Sequence, residues 1–319
     1  MKIVMHPAVD EELRAQVQKV APDAEVVMAE RDNAMAAVAD AEIIFGSCSA
    51  EMVTAATNLK WIQSTSAGMD KYLVPEIAES DIIISNASGV HAIQVAEHAW
   101  ALMCALMRGL NFAVRNQMQN KWSRLPLNDI HGATIGIIGF GGIGRQFAQL
   151  ASGFEARLLA LDVQGGEKPD YVEALWGMDQ LDDVLQQSDV IFIAVPHTPE
   201  TDKLINARTL GLMKKTAFLV NTARGKIVDQ AAIYEAVKSG EIAGAGLDVF
   251  EEEPLPADSP LWGLENVIIT THSAGGSPNR HNRTVAFFCK NLERYLAGEP
   301  VYNEVDKSLG YPKLERRVR

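Results

Sequence analysis

Short apolar runs recur along this chain with helical or loop-like segments between them, and that alternation leaves few folds open. Residues 3–5, 26–28, 43–45, 61–63 and 82–84 read as buried strands. A second series follows at residues 134–138, 158–161, 190–195, 217–220, 244–249 and 267–270. Strands that alternate with helices pack as a parallel sheet covered on both faces, so the expected class is α/β with two doubly wound parallel-sheet domains. At 319 residues the chain is long enough for both. The second series, with six strands, suffices for a complete dinucleotide-binding (Rossmann) sheet, and the first suits a smaller flavodoxin-like domain.

Residues 92–121 lie between the two series, rich in Ala, Leu, Met and Gln, free of proline and interrupted at Gly109. They read as one long helix or two consecutive ones joining the domains. Residues 278–297 read as a last helix returning to the first domain, after which residues 301–305 run extended. The expected division is residues 1–98 with 286–319 for one domain and 99–285 for the other, with a cleft between them.

Composition narrows the function classes. With 47% hydrophobic and 22% charged residues, the chain reads as globular. Its longest apolar run, residues 99–107, stops at Arg108, far short of the roughly 20 residues a membrane span needs. The N-terminus has no apolar core or small-residue cleavage site of a signal peptide, so a cytoplasmic location is expected. Cys48, Cys104 and Cys289 are too few and too scattered for a disulfide framework, and no His, Cys and Asp grouping has metal-ligand spacing. A net charge of −12 repels a phosphate backbone, and the clustered basic residues are confined to Arg316, Arg317 and Arg319. An anionic ligand must be caught by a local set of donors, because the overall field opposes it.

The run 134–138 leads directly into Gly139-Phe140-Gly141-Gly142-Ile143-Gly144, which opens a helix-like segment at Arg145. In that setting Gly139 permits a tight turn, Gly141 lets backbone approach a pyrophosphate, and Gly144 lets helix pack on strand. Gly142 and Ile143 contribute to a helix N-terminus whose free N–H groups face the phosphates. Asp162 ends the next strand, close to the distance of about 20 residues at which an acid accepts the ribose hydroxyls of NAD. A carboxylate there repels the extra phosphate of NADP, so NAD is the expected cofactor.

Three later segments each follow a strand of the second series, where ligands of such sheets gather. Asn221-Thr222-Ala223-Arg224-Gly225 places an arginine among small residues. Asp248-Val249-Phe250-Glu251-Glu252-Glu253-Pro254 forms an acidic cluster, and Thr270-Thr271-His272-Ser273-Ala274-Gly275 presents a histidine.

With these segments the sequence resembles the D-isomer-specific 2-hydroxyacid dehydrogenase family, across essentially its full length. The resemblance rests on the glycine loop, Asp162, the segment from Val195 and Pro196 to Thr201, the segment from Ser64 to Asp70, and the triplet Arg224, Glu253 and His272. It implies hydride transfer between NAD and C2 of a small 2-hydroxy or 2-oxo acid, as in glyoxylate or hydroxypyruvate reductases and phosphoglycerate dehydrogenases. His272 would be the acid/base, since imidazole both accepts and donates a proton near neutral pH. Glu253 would fix its tautomer and stabilise the imidazolium, and Arg224 would hold the substrate carboxylate or polarise its C2 oxygen with paired donors.

By the same resemblance the backbone N–H groups of Ala67 and Gly68 bind the substrate carboxylate, and small residues leave such groups accessible. Asp248 would contact the nicotinamide carboxamide, Thr222 and Ala223 would line its ring, and Val195, Pro196 and Thr201 would flank the adenosine side. Arg224, His272 and Gly275 would also border the cofactor, and a homodimer through residues 92–121 is implied. The family usually has proline before the histidine, where Thr271 stands, so no fixed φ aims His272. His98 reads as a packed helix residue, His91 and Cys48 as pocket-lining at most, and His197 as a loop residue near the cofactor. Two rival functions share many of these residues. Formate or phosphite dehydrogenases are related, but formate enzymes place Gln where Glu253 stands; NAD-binding corepressors keep the nucleotide site and act as dimeric interaction platforms.

Overall fold

The computed structural model describes residues 1–69 and 72–316; Asp70, Arg317 and Arg319 lie outside the described residues. The chain divides into two compact units, one made of residues 1–91 and 277–319 and the other of residues 92–276. These divisions fall several residues before the boundaries at 98 and 285 expected from the sequence.

The first unit begins β1 (Lys2–His6), α1 (Glu11–Val20), β2 (Glu25–Met28), α2 (Ala34–Val38), β3 (Ile43–Gly46), α3 (Ala50–Ala55), β4 (Trp61–Gln63), α4 (Pro75–Ala78) and β5 (Ile83–Ser85). Among the described residues these strands form a five-stranded parallel sheet in the order β2-β1-β3-β4-β5. This is the flavodoxin-like order expected above. Side chains alternate between faces, so Val4, Ile44 and Ile62 pack with Val38, Met52 and Ile77 on one side. Ile3, Met5, Phe45 and Trp61 pack with Leu13 and Val17 of α1 on the other.

The second unit contains α5 (Ala92–Met107), α6 (Leu110–Met118), β6 (Thr134–Ile138), α7 (Gly142–Ser152), β7 (Arg157–Leu161), β8 (Ala174–Trp176), α8 (Leu181–Gln187), β9 (Val190–Ile193), α9 (Ala207–Leu210), β10 (Phe218–Asn221), α10 (Gln230–Ser239), β11 (Gly244–Leu247) and β12 (Val267–Ile269). The described strands form a seven-stranded parallel sheet in the order β12-β11-β10-β9-β6-β7-β8. The order reverses between β6 and β9, which is where such sheets bind ligands. β8 is the strand that the apolar runs did not reveal, a three-residue edge strand beside β7. The helical stretch after residue 91 is two helices, broken where Gly109 takes φ +62°.

The chain then returns to the first unit as α11 (Arg280–Leu296), which packs on α1 and buries Val285, Phe288 and Leu292 against the sheet. β13 (Val305–Asp306) and β14 (Tyr311–Pro312) close the chain as a short antiparallel pair. The extended run expected at residues 301–305 is strand only from Val305, because Asn303 takes φ +55° and the segment bonds to α11. The tie is Asn291, fully buried, whose Nδ2 donates to Gln63 Oε1 at 2.8 Å and Tyr302 O at 3.0 Å while its Oδ1 accepts from Tyr302 N at 2.8 Å. Asn291→Ala removes the side-chain partner of Tyr302 N and O, while Gln63 Oε1 keeps its bond from Ser85 Oγ at 2.8 Å. The expected cost is about 2–3 kcal/mol and a fall of roughly 5 °C in the midpoint of thermal unfolding followed by circular dichroism.

Candidate active site

Three adjacent strands of the second sheet end in linked segments. The Asp248 amide after β11 donates to Asn221 O at the end of β10 (3.0 Å), and the His272 amide after β12 donates to Asp248 O (2.8 Å). The residues following β10, β11 and β12 are therefore tied to one edge of the sheet, its carboxyl edge.

After β10, Asn221 shapes the turn that carries Arg224. It is buried, its Oδ1 accepts from Ala223 N at 3.0 Å, and its Nδ2 donates to Arg224 O at 3.0 Å. Asn in a turn is the one sequence signal for this role. Arg224 is partly buried and donates from Nη1 to Ala223 O at 2.7 Å. Gly225 lies so close to the next segment that a Cβ there would stand 1.9 Å from Phe250 C and O. Only glycine lets the arginine turn seat on the Phe250 backbone.

Phe250 belongs to the loop that holds Glu253. The Glu253 Oε1 accepts from Phe250 N at 3.0 Å, and its Oε2 lies 2.7 Å from His272 Nδ1. An ionised carboxylate only accepts, so Nδ1 carries the proton and Nε2 is left to exchange one. His272 takes φ +53°, a left-handed conformation that the Asp248 backbone bond holds in the absence of a preceding proline. The side chains of His272 and Glu253 are 50% and 35% exposed, so the pair is reachable from solvent. Glu253 and His272 are thus brought together, and Arg224 sits on the adjoining turn.

Asp248 is buried and accepts at Oδ1 from Thr270 Oγ1 (2.5 Å) and Ser273 N (2.9 Å), and at Oδ2 from Ala274 N (3.0 Å). Its carboxylate thereby clamps the chain on both sides of His272, a role its place in the sequence did not reveal. Thr270 and Ser273 were likewise missed.

The glycine loop occupies the point of strand reversal. Gly139 takes φ +99°, and a Cβ on Gly144 would meet Gly139 O at 2.1 Å, so the first turn of α7 rests directly on the loop. No side chain caps α7. Asp162, buried at the end of β7, accepts from Phe140 N at 3.0 Å and Gln164 N at 2.8 Å. In the segment 195–201, Thr201 Oγ1 donates to Pro196 O and accepts from Thr198 N, both at 2.7 Å, and His197 pairs with Asp202 at 2.8 Å. Among the described residues, four buried polar side-chain atoms of this unit have no partner, Asn111 Oδ1, Gln164 Oε1, Thr222 Oγ1 and Ser259 Oγ, and the second and third bear on the cofactor. Thr222 and Gln164 follow β10 and Asp162, the two places expected to hold nicotinamide and ribose, and they fit a dinucleotide that supplies the missing partners.

In the first unit, the Asn86 side chain donates to Ala67 O at 2.7 Å and Ala87 N donates to Ser66 O at 2.9 Å, fixing the segment after β4. The amides of Ala67 and Gly68 make no hydrogen bond among the described residues. His91 contacts Thr65 O at 2.8 Å, and burial pushes its pKa down. Burial pushes the Cys48 thiol up to about 12, which keeps it protonated at neutral pH.

A parallel sheet with a glycine loop at its reversal point and an acid after the next strand defines a nicotinamide-dinucleotide-binding domain. Residues 100–274 match the family model described as D-isomer specific 2-hydroxyacid dehydrogenase, NAD binding domain. The chain is 38% identical over 268 residues to the glyoxylate reductase of Korarchaeum cryptofilum, covering 82% of this chain and 80% of that one. It is 36% identical to the D-3-phosphoglycerate dehydrogenase of Archaeoglobus fulgidus, over 81% of this chain and 49% of that longer protein. Its fold superposes with TM-score 0.86 on a D-isomer-specific 2-hydroxyacid dehydrogenase of Xanthobacter autotrophicus solved with NADPH and MES, at 26% identity over 97% of this chain and 99% of that one. The chain belongs to the D-isomer-specific 2-hydroxyacid dehydrogenase family of NAD(P)-dependent enzymes.

Proposed function

We propose that this enzyme transfers a hydride between NAD(H) and C2 of a small 2-oxo or 2-hydroxy acid, with His272 as acid/base. The observation that carries the reading is the 2.7 Å pairing of His272 Nδ1 with Glu253 at the carboxyl edge of the sheet. Bound nicotinamide supplies or takes up the hydride. In reduction, His272 gives the Nε2 proton to the C2 oxygen; in oxidation it takes that proton back. Glu253 holds the tautomer and stabilises the imidazolium form. Arg224 binds the substrate carboxylate or polarises the C2 oxygen, and the amides of Ala67 and Gly68 bind the carboxylate. Glyoxylate is the substrate to try first, because the glyoxylate reductase of K. cryptofilum matches most of the chain. Glu253 in place of the Gln of formate enzymes favours a 2-oxo acid, and the paired histidine favours catalysis over a corepressor role.

For the cofactor, Gly139, Gly141, Gly142, Ile143 and Gly144 cradle the pyrophosphate, and Thr222, Ala223, Asp248 and Gly275 border the nicotinamide. Val195 and Pro196 flank the adenosine in a loop that Thr201 closes. Asp162 accepts the ribose hydroxyls with the lone pairs its two amide donors leave open.

The enzyme acts as a homodimer in the cytoplasm on this reading. Leu110, Val114 and Met118 follow one another at spacings of four along α6 and are 51%, 56% and 81% exposed. An apolar stripe of that kind on α6 suits a second copy of the chain. Among the described residues no helix is long and apolar enough to cross a membrane, and the net charge of −12 disfavours nucleic acid as a partner.

His272→Ala is expected to lower turnover of glyoxylate with NADH by about 10²–10⁴-fold while NADH binding, followed by fluorescence, stays near that of the parent; undiminished turnover removes the acid/base role. Asp162 predicts higher kcat/KM with NADH than with NADPH, although the Xanthobacter relative holds NADPH; equal efficiencies would take Asp162 out of cofactor selection. Light scattering on the eluting protein should give twice the 34.7 kDa chain mass, and a monomeric mass would refute the dimer.

A further inference from the structure

His98 of α5 reaches a residue 172 positions away: its Nε2 lies 3.0 Å from Thr270 Oγ1 and 3.5 Å from Asp248 Oδ1. The direction of the hydrogen bonds follows from proton counting. Asp248, 1% exposed, accepts two backbone amides as a carboxylate, so the 2.5 Å contact from Thr270 uses the single hydroxyl proton of that threonine. Thr270 Oγ1 then has only lone pairs to offer, and His98 Nε2 must donate. The chain of donors runs from His98 to Thr270 to Asp248. Asp248 in turn binds the amides of Ser273 and Ala274 through its side chain and that of His272 through its carbonyl.

We infer that His98 is a positioning residue for the reaction: by donating to Thr270 it keeps the Thr270 hydroxyl turned onto Asp248, and so fixes the loop that aims His272. Two features of the loop make such a brace necessary. His272 stands at φ +53°, a conformation with an intrinsic cost, and Thr271 imposes no rigid φ before it. The bonds that hold the loop converge on one buried carboxylate, and a network of that kind is sensitive to each member because its parts polarise one another. α5 is suited to carry the outermost donor. Ala96, Ala99, Leu102 and Met103 of that helix are buried in the core of the same unit, so His98 is mounted on a rigid element.

The inference rests on the reading of His272 as acid/base, and the test separates the two. His98→Leu, His98→Gln, Thr270→Val and Thr270→Ser are compared with the parent by glyoxylate and NADH kinetics, by thermal unfolding, and by nitrogen-15 NMR of the His272 ring. Leucine at 98 should lower kcat about tenfold with little change in the KM for NADH, and should shift the His272 ring resonances, since small misplacements of a reacting group are that costly. Glutamine, which can present a donor at similar reach, should recover most of the rate and the parent resonances. Valine at 270 should act like leucine at 98, the double variant should be no worse than either single one, and serine at 270 should recover. Parent kcat and resonances in His98→Leu would overturn the inference, as would equal losses in His98→Leu and His98→Gln that track their unfolding temperatures. Should His98→Leu fail to fold, the valine and serine variants at 270 carry the same comparison. Full activity in His272→Ala would sink the acid/base reading alone, because the ring resonances report the brace without turnover.

Discussion

The carboxylate of Asp248 is the contact on which the site depends. A charge with 1% of its side chain exposed is costly to bury unless donors surround it. Here the donors come from residues 270, 273 and 274, so satisfying the charge and folding the histidine loop are one event. The backbone of Asp248 extends the same logic sideways, accepting from His272 and donating to Asn221. One residue at the end of β11 thereby joins the turn of Arg224 to the loop of His272. A small, irregular part of the molecule acquires the rigidity of the sheet.

The strand pattern was legible because parallel strands buried on both faces are written as nearly continuous apolar runs, such as residues 134–138 and 190–193. β8 escaped because an edge strand of three residues, Ala174–Trp176, with two of them half-buried, carries too little of that signature. The interruption at Gly109 was visible as a glycine within a helical pattern, and its φ of +62° is the physical content of that signal. Residues 301–305 were expected to run extended because the helical pattern breaks at residues 298–300, and residues 301–304 do not form a strand. Their course is set instead by Asn291 and by the left-handed Asn303, which no local pattern records.

The site shows the same division between local and distant information. The glycine loop could be read because strand, glycines and helix are contiguous. Glu253 and His272 could be singled out by type and by resemblance, but their 2.7 Å contact spans 19 residues and two loops. His98 was set aside as a packed helix residue, and nothing near it in the sequence points to Thr270. The expectation that Asp248 lies beside the nicotinamide came from resemblance, whereas its bonds to residues 270–274 arise from tertiary pairing. Thr271 had the opposite effect: a missing proline left the aim of His272 open, and the backbone bond to Asp248 shows how the fold supplies that constraint.

The exposure of the Glu253 and His272 pair suits the acid/base role proposed above. Half of the imidazole and a third of the carboxylate face water, where an ion pair contributes only about 0–1 kcal/mol to stability. Stability is therefore a weak reason for this pairing. Orientation is a strong one, because Glu253 is itself held by Phe250 N and passes that constraint to Nδ1, leaving Nε2 as the nitrogen that can meet a ligand. An acid/base needs solvent access for proton exchange and a fixed direction for proton delivery. A deeply buried pair would lose the first, and a lone surface histidine would lack the second. A half-exposed imidazole tethered at one nitrogen meets both requirements.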